Sequence, residues 1–184
     1  MNYGEKAALI GKNGSGKSTL IKMILGQDTN FQGELKLGTS IKIGYISQNI
    51  IFENNEKTVL DYFLEGNNLS ETEARSKLAK YGFRQENAFK RIGKLSGGEK
   101  VRIILMKLIQ KDINFLILDE PTNHIDIDTR EILEEALKEY KGTVLFVSHD
   151  RFFINAIANR VLNIENYKIK SCYGNYDDFN RVIK

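Results

Sequence analysis

The chain of 184 residues contains one cysteine, Cys172, and one proline, Pro121. A lone cysteine excludes an internal disulfide framework and suits a reducing compartment. A lone proline leaves little material for rigid linkers, and no segment is repeated or of low complexity. Long apolar runs are missing as well. The longest, around residues 103–109, is interrupted by Lys107, whereas a membrane-spanning helix needs ~20 apolar residues. The opening stretch MNYGEKAALIG carries Glu5 and Lys6 before a short apolar run, which is not the layout of a secretory signal. The expected location is cytoplasmic. A large charge of one sign is also lacking. The net charge of +3 suits solubility and falls far short of the basic signature of a nucleic-acid binder. With 41% hydrophobic and 28% charged residues, the composition is that of a soluble globular domain large enough for a substantial core.

What is present is an alternation of short apolar runs and amphipathic stretches. KAALI (6–10) reads as a buried strand, and KSTLIKMIL (17–25) as the helix after it, stopped by Gly26. ELKL (34–37) and IKIGYIS (41–47) alternate as strands do. From about Asn49 to Gln110 the pattern turns helical. Ser70 and Glu73 make a capping box there, and residues 99–111 form a long helix. FLILDE (115–120) and TVLFVS (143–148) are apolar on both faces, as in a covered parallel sheet. Asp128 and Glu131 predict a capping box for a helix running to about Tyr140. RFFINAIAN predicts another helix, residues 160–174 a strand, a turn at Asn166 and a strand, and YDDFNRVIK a closing helix. Strand–helix alternation at both ends implies an α/β sheet with right-handed crossovers. The expected division is a single domain over 1–184, with a core of 1–48 and 111–184 and a helical insert of 49–110.

Five places along the chain carry chemistry. GKNGSGKST (11–19) fits G-x-x-x-x-G-K-[ST] between a strand and a helix. Glycines 11, 14 and 16 let the backbone curl so that N–H groups point inward at phosphate oxygens. The helix beginning at Lys17 aims its positive dipole end at the same place. Lys17 supplies a mobile cation, and Ser18 a hydroxyl for Mg2+. Such a loop grips phosphates and is blind to the base. FLILDE ends an apolar strand on two acids, and charges there need partners. At the C-terminal edge of a parallel sheet the partner is usually a ligand. Asp119 is placed to hold Mg2+, and Glu120 to take a proton from an attacking water. A lone histidine is usually structural, but His149 ends another buried strand and so shares that edge. Gln48 ends the strand of 41–47 and can reach the metal or the water as a neutral ligand. In LSGGEK (95–100), Ser96, Gly97 and Gly98 open a long helix. They read either as a second anion site or as a capped helix start.

Together these stretches resemble the ATP-binding cassette family, in family order and over essentially the whole chain: GKNGSGKST, the glutamine of YISQ, LSGGEK, FLILDE, PTNHID and SHD. The resemblance implies a P-loop NTPase (RecA-like) fold, α/β with a parallel-sheet core and a helical subdomain insert. It implies ATP and Mg2+ as ligands. The phosphate loop, with Asn13, Ser15 and Thr19 among its members, would hold ATP. Ser18, Gln48 and Asp119 would serve the metal, Glu120 would be the general base, and His149 the γ-phosphate sensor. Ser96, Gly97 and Gly98 would close over ATP held by a second cassette, and Asp126 would lie in the loop joining the two sites. The separation of 78 positions from Lys17 to Leu95 argues against the long-insert relatives that work on chromosomes.

NHID (123–126) where transporter cassettes usually read SALD, with VSHDRFFI (147–154) and GNYDDF (174–179), resembles the ABC-F group. That group pairs two cassettes on one chain without membrane domains. Many members act on the ribosome, and some protect it from antibiotics. KTVLDYF and GTVLFVSHDRFF look more like a second, C-terminal cassette than a first. The family normally has further strands and an adenine-stacking aromatic before the phosphate loop. Tyr3 is too close to Gly11 for that role, so the expectation is an N-terminally truncated cassette. Two alternatives stand beside an ABC-F ATPase. One is the nucleotide-binding subunit of a membrane transporter, against which NHID counts. The other is a catalytically weak remnant, against which intact Lys17, Asp119, Glu120 and His149 count.

Overall fold

The strands split their apolar residues between two cores. The computed structural model describes residues 1–123 and 125–183; His124 of the NHID stretch lies outside them. In β1 (Lys6–Gly11), β3 (Phe115–Asp119) and β4 (Thr143–Val147), alternate side chains point to opposite faces of one sheet. Ala8, Leu116, Leu118, Val144 and Phe146 pack on one face against Leu105, Leu133, Leu137, Phe153 and Ile154. Ala7, Leu9, Phe115, Ile117, Leu145 and Val147 pack on the other, against Ile21. Helices on both faces are what a strand apolar on both sides requires.

The remaining strands are β2 (Ile43–Ile46), β5 (Arg160–Glu165) and β6 (Lys168–Tyr173). The sheet order is β2-β3-β4-β1-β5-β6. All neighbours pair in parallel except β5 and β6. Parallel pairing puts the C-terminal ends of β1, β2, β3 and β4 on one edge, which is where such sheets bind ligands. The β5–β6 pair is a hairpin with Glu165 opposite Lys168. Its two turn residues, Asn166 and Tyr167, both have positive φ, as a tight hairpin turn demands.

The helices are α1 (Lys17–Ile24), α2 (Val59–Leu64), α3 (Glu71–Lys80), α4 (Gly97–Gln110), α5 (Ile127–Glu139), α6 (Arg151–Ile157) and α7 (Tyr176–Ile183). Short 3-10 turns at Gln85–Phe89 and Ile92–Lys94 lie between α3 and α4. Helix α1 ends as expected: Gly26 takes a left-handed φ, its N–H reaches Met23 O, and that of Gln27 reaches Lys22 O. The Ser70–Glu73 capping box is present. Residues 52–106 also hold an apolar cluster of their own, including Phe63, Leu78, Phe83, Ile92 and Met106. Helix α4 serves two clusters: Val101 and Leu105 face the sheet, Ile103 and Met106 the smaller cluster.

Two local expectations are corrected. Residues 34–37 form no strand and are largely exposed; the alternation is there, but no neighbouring strand pairs with it, and an unpaired extended segment gains no ladder. Helix α5 starts at Ile127, with Asp126 rather than Asp128 as its cap. The Asp126 carboxylate accepts the Thr129 N–H at 2.7 Å, which leaves Asp128 in the first turn, where an acid suits the helix dipole.

Helices α4 and α5 approach closely at Gly98, where a Cβ would lie 2.6 Å from Thr129 Cγ2 and 3.2 Å from Ile125 Cγ2. Gly98→Val is therefore expected to cost about 1–3 kcal/mol by overpacking. For a chain of this size that lowers the Tm by roughly 2–12 °C, to be read by thermal unfolding.

Candidate functional site

The loop from β1 to α1 is closed by its own backbone. Gly11 has no room for a side chain, since a Cβ there would lie 2.6 Å from Ser15 Oγ and 2.7 Å from the Ile164 carbonyl oxygen. Gly16 ends the loop at φ 101° as the N-cap of α1, and no side chain caps that helix. The first-turn N–H groups are thus left for an external acceptor. Lys17 is only 8% exposed. Its Nζ donates to the carbonyls of Gly11 at 2.8 Å and Lys12 at 3.1 Å, so the ammonium is folded back inside the loop.

Opposite this loop stand two acids and a histidine. Strand β3 ends at Asp119, and Glu120 turns sharply at φ 52° while its N–H donates to Val147 O at 3.0 Å. The Glu120 side chain is 10% exposed and that of His149 59%, with His149 Nε2 at 3.2 Å from Glu120 Oε1. Among the described residues, no hydrogen-bond partner reaches the buried Glu120 Oε2. Burial pushes both carboxyls above their usual range. Nearby Lys17 opposes this at Asp119. At Glu120, His149 opposes it and the Asp119 charge adds to it. An unpartnered buried carboxylate oxygen marks a place built to receive a proton or a donor.

Asn13, Gly14, Gly16, Lys17, Ser18, Thr19, Gln48, Asp119, Glu120 and His149 line one cleft of about 450 Å³. Four loops of the sheet edge therefore converge there. Gly11 and Ser15 build the loop without lining the cleft. Ser96 and Gly98 lie away from it, and Gly97 lines an adjoining hollow with Lys100 and Pro121. Asp126 caps α5. Ser96 closes a capping box with Glu99, accepting from Glu99 N–H at 3.2 Å while Ser96 N–H donates to Glu99 Oε2 at 2.7 Å. Burial raises the Glu99 carboxyl, but the Lys90 ammonium and the Ser96 N–H outweigh it and hold the group below its usual range.

A family model for the ABC transporter matches residues 1–123. The chain belongs to the ABC transporter family. YdiF of Bacillus subtilis (strain 168) is 47% identical over 96% of this chain and 28% of its own length. ABC transporter F family member 2 of Arabidopsis thaliana is 41% identical over 96% of this chain and 26% of its own. The energy-dependent translational throttle protein EttA of Escherichia coli (strain K12) is 38% identical over 98% of this chain and 34% of its own. The chain thus spans about a third or less of these relatives. An inward-facing ABC transporter of metal-chelate type matches with a TM-score of 0.76 at 27% identity, covering 94% of this chain and 73% of that one. The fold is shared with the archaeal ribosome recycling factor aABCE1, solved with the stalk protein aP1, at a TM-score of 0.79 and 24% identity, covering 100% of this chain and 37% of that one.

The cassette's cleft includes residues that the sequence pattern did not single out. Asn123 and Val147 line it, and Thr122 Oγ1 lies 2.9 Å from Ser148 Oγ just behind it. Thr122 and Asn123 stand inside PTNHID and Ser148 inside VSHD. Neighbouring charged residues drew attention there because an uncharged hydroxyl or carboxamide leaves a weaker mark in a sequence than a buried charge does. Tyr3 is exposed, and the Gly4 N–H beside it donates to Thr143 Oγ1, at the start of β4. That is the edge of the sheet opposite the cleft, so Tyr3 does not face it. Among the described residues, no helix is long and apolar enough to cross a membrane.

The acids carry a stability consequence. A carboxyl whose folded pKa is raised costs stability once pH rises through that pKa, and costs nothing below the ordinary carboxylate range. Glu120→Gln is therefore expected to raise the Tm at pH 7 in chelator without nucleotide, by about 2–4 °C for each kcal/mol relieved. The gain should vanish near pH 3, as thermal melts at the two pH values will report.

Proposed function

We propose that the cleft binds ATP and hydrolyses it with Mg2+. The observation that carries this reading is the buried, unpartnered oxygen of Glu120 across the cleft from an uncapped helix start and an inward-folded lysine. The α1 N–H groups and Lys17 receive phosphate oxygens, the ammonium exchanging its loop carbonyls for them. Ser18, Gln48 and Asp119 offer a hydroxyl, a carboxamide and a carboxylate. These are hard oxygen donors that suit Mg2+ shared with phosphates. The bound ion would offset the charge on the β- and γ-phosphates. Glu120 takes a proton from a water whose oxygen attacks the γ-phosphorus. The bond to the β,γ-bridging oxygen breaks, leaving ADP and inorganic phosphate. His149, exposed and within reach of Glu120, contacts the γ-phosphate.

The chain acts as one half of a cassette pair of the ABC-F kind, in the cytoplasm. Ser96, Gly97 and Gly98 serve the nucleotide of a second cassette, and Asp126 belongs to the junction between the two sites. Residues 49–110 form a helical unit on the core of 1–48 and 111–184. The whole protein works on the ribosome as a translation factor, a reading supported by its likeness to EttA. Co-sedimentation of the full-length protein with ribosomes in ATP tests that partner.

In the full-length protein, Glu120→Gln is expected to retain ATP, stabilise the closed pair and lose about 10²–10⁴ in single-turnover hydrolysis. An unchanged rate would remove Glu120 as base. Lys17→Ala should weaken nucleotide binding by about 10- to 150-fold, the loss of a charged hydrogen-bond donor, as isothermal calorimetry will read.

A further inference from the structure

Glu120 and His149 come from different loops, and their separation depends on how those loops are tied together. Two ties are present. The Glu120 N–H donates to Val147 O at 3.0 Å, and Thr122 Oγ1 lies 2.9 Å from Ser148 Oγ. A single tie leaves a hinge; a second tie beyond it fixes the angle. We propose that the Thr122–Ser148 hydroxyl pair is a positioning device, which locks the Glu120 loop onto the His149 loop and holds the carboxylate facing the histidine.

Three features favour this role over incidental packing. Ser148 is only 2% exposed, so a buried hydroxyl there needs a protein partner. Its Oγ also accepts the Asp150 N–H at 3.0 Å. The Asp150 carboxylate caps α6 by accepting from Phe152 and Phe153 N–H at 2.9 and 3.2 Å. Asp150 also meets Arg130 of α5 at 3.4 Å. The hydroxyl pair thus joins two loops that are each pinned to a helix start. Lastly, Glu120 holds a left-handed φ of 52°, a conformation that non-glycine residues keep only when their surroundings impose it. Neither Thr122 nor Ser148 lines the cleft, so the pair acts through Glu120 and His149 and not on the nucleotide.

This inference rests on the proposed hydrolytic reading, and the experiment separates the two. In the full-length protein, Thr122→Val deletes the hydroxyl at constant shape, Thr122→Ser keeps it, and Ser148→Ala removes the other half. Thr122→Val is expected to lower kcat by about 10- to 100-fold, as misplacement of a reacting group does, with KM for ATP within about two-fold of the parent. Thr122→Ser should restore kcat to within about two-fold. The double variant Thr122→Val, Ser148→Ala should be no slower than the slower single variant. Parental kcat in Thr122→Val, or a Thr122→Ser variant as slow as Thr122→Val, would overturn the proposal. So would a loss confined to KM. If Thr122→Val does not fold, Ser148→Ala against Thr122→Ser decides by the same criteria. An inactive Glu120→Gln beside a fully active Thr122→Val sinks the hydroxyl pair alone, whereas a fully active Glu120→Gln sinks the hydrolytic reading.

Discussion

Strands that are apolar on both faces can carry polar groups only at their ends. The rest of this structure depends on that constraint. Strands β1, β3 and β4 are buried between two layers of helices, and unpaired charge within them would be costly. Their polar residues are therefore displaced to the sheet edge, where parallel pairing lines up the ends of β1, β2, β3 and β4. Chemistry scattered between residues 13 and 149 is gathered into one cleft by a rule about burial, with no sequence proximity needed.

The same constraint explains why the edge is held under tension. Asp119 and Glu120 sit at the margin of the apolar layer, where burial pushes both carboxyls upward. Lys17 relieves part of this from across the cleft, and its own charge is spread over two loop carbonyls. Among the described residues, Glu120 Oε2 is buried at that edge without a hydrogen-bond partner. A fold that completed every hydrogen bond here would be more stable and would offer nothing to a phosphate.

Legibility from sequence followed the range of the interaction. The phosphate loop was readable because its geometry is local: glycines at fixed offsets, a strand before and a helix after. The capping box at Ser70 was readable for the same reason. The cap of α5 was misplaced because Asp128 and Glu131 satisfy the same local pattern two residues on. What decides between them is which carboxylate meets the Thr129 N–H in three dimensions. Residues 34–37 alternate like a strand, yet a strand is a pairwise object and a pattern contains only one partner. The Thr122–Ser148 contact spans 26 residues, and two hydroxyls carry no charge, spacing or periodicity that would announce it.

Helix α4 shows how one element can link packing to the site. Its Ile103 and Met106 belong to the cluster of residues 52–106, while Val101 and Leu105 belong to the sheet's own core. At its start, Gly98 presses against Thr129 of α5, whose cap Asp126 follows PTNHID. A displacement of α4 along its axis therefore cannot stay local, because close-packed interiors transmit strain. It must move the small cluster, or α5 and the loop that carries Thr122, or both. Thr122 is tied to Ser148, and Ser148 precedes His149. The start of the helix that bears Ser96–Gly98 thus packs against α5, while Thr122, ahead of α5 in the chain, meets the loop of His149 through Ser148.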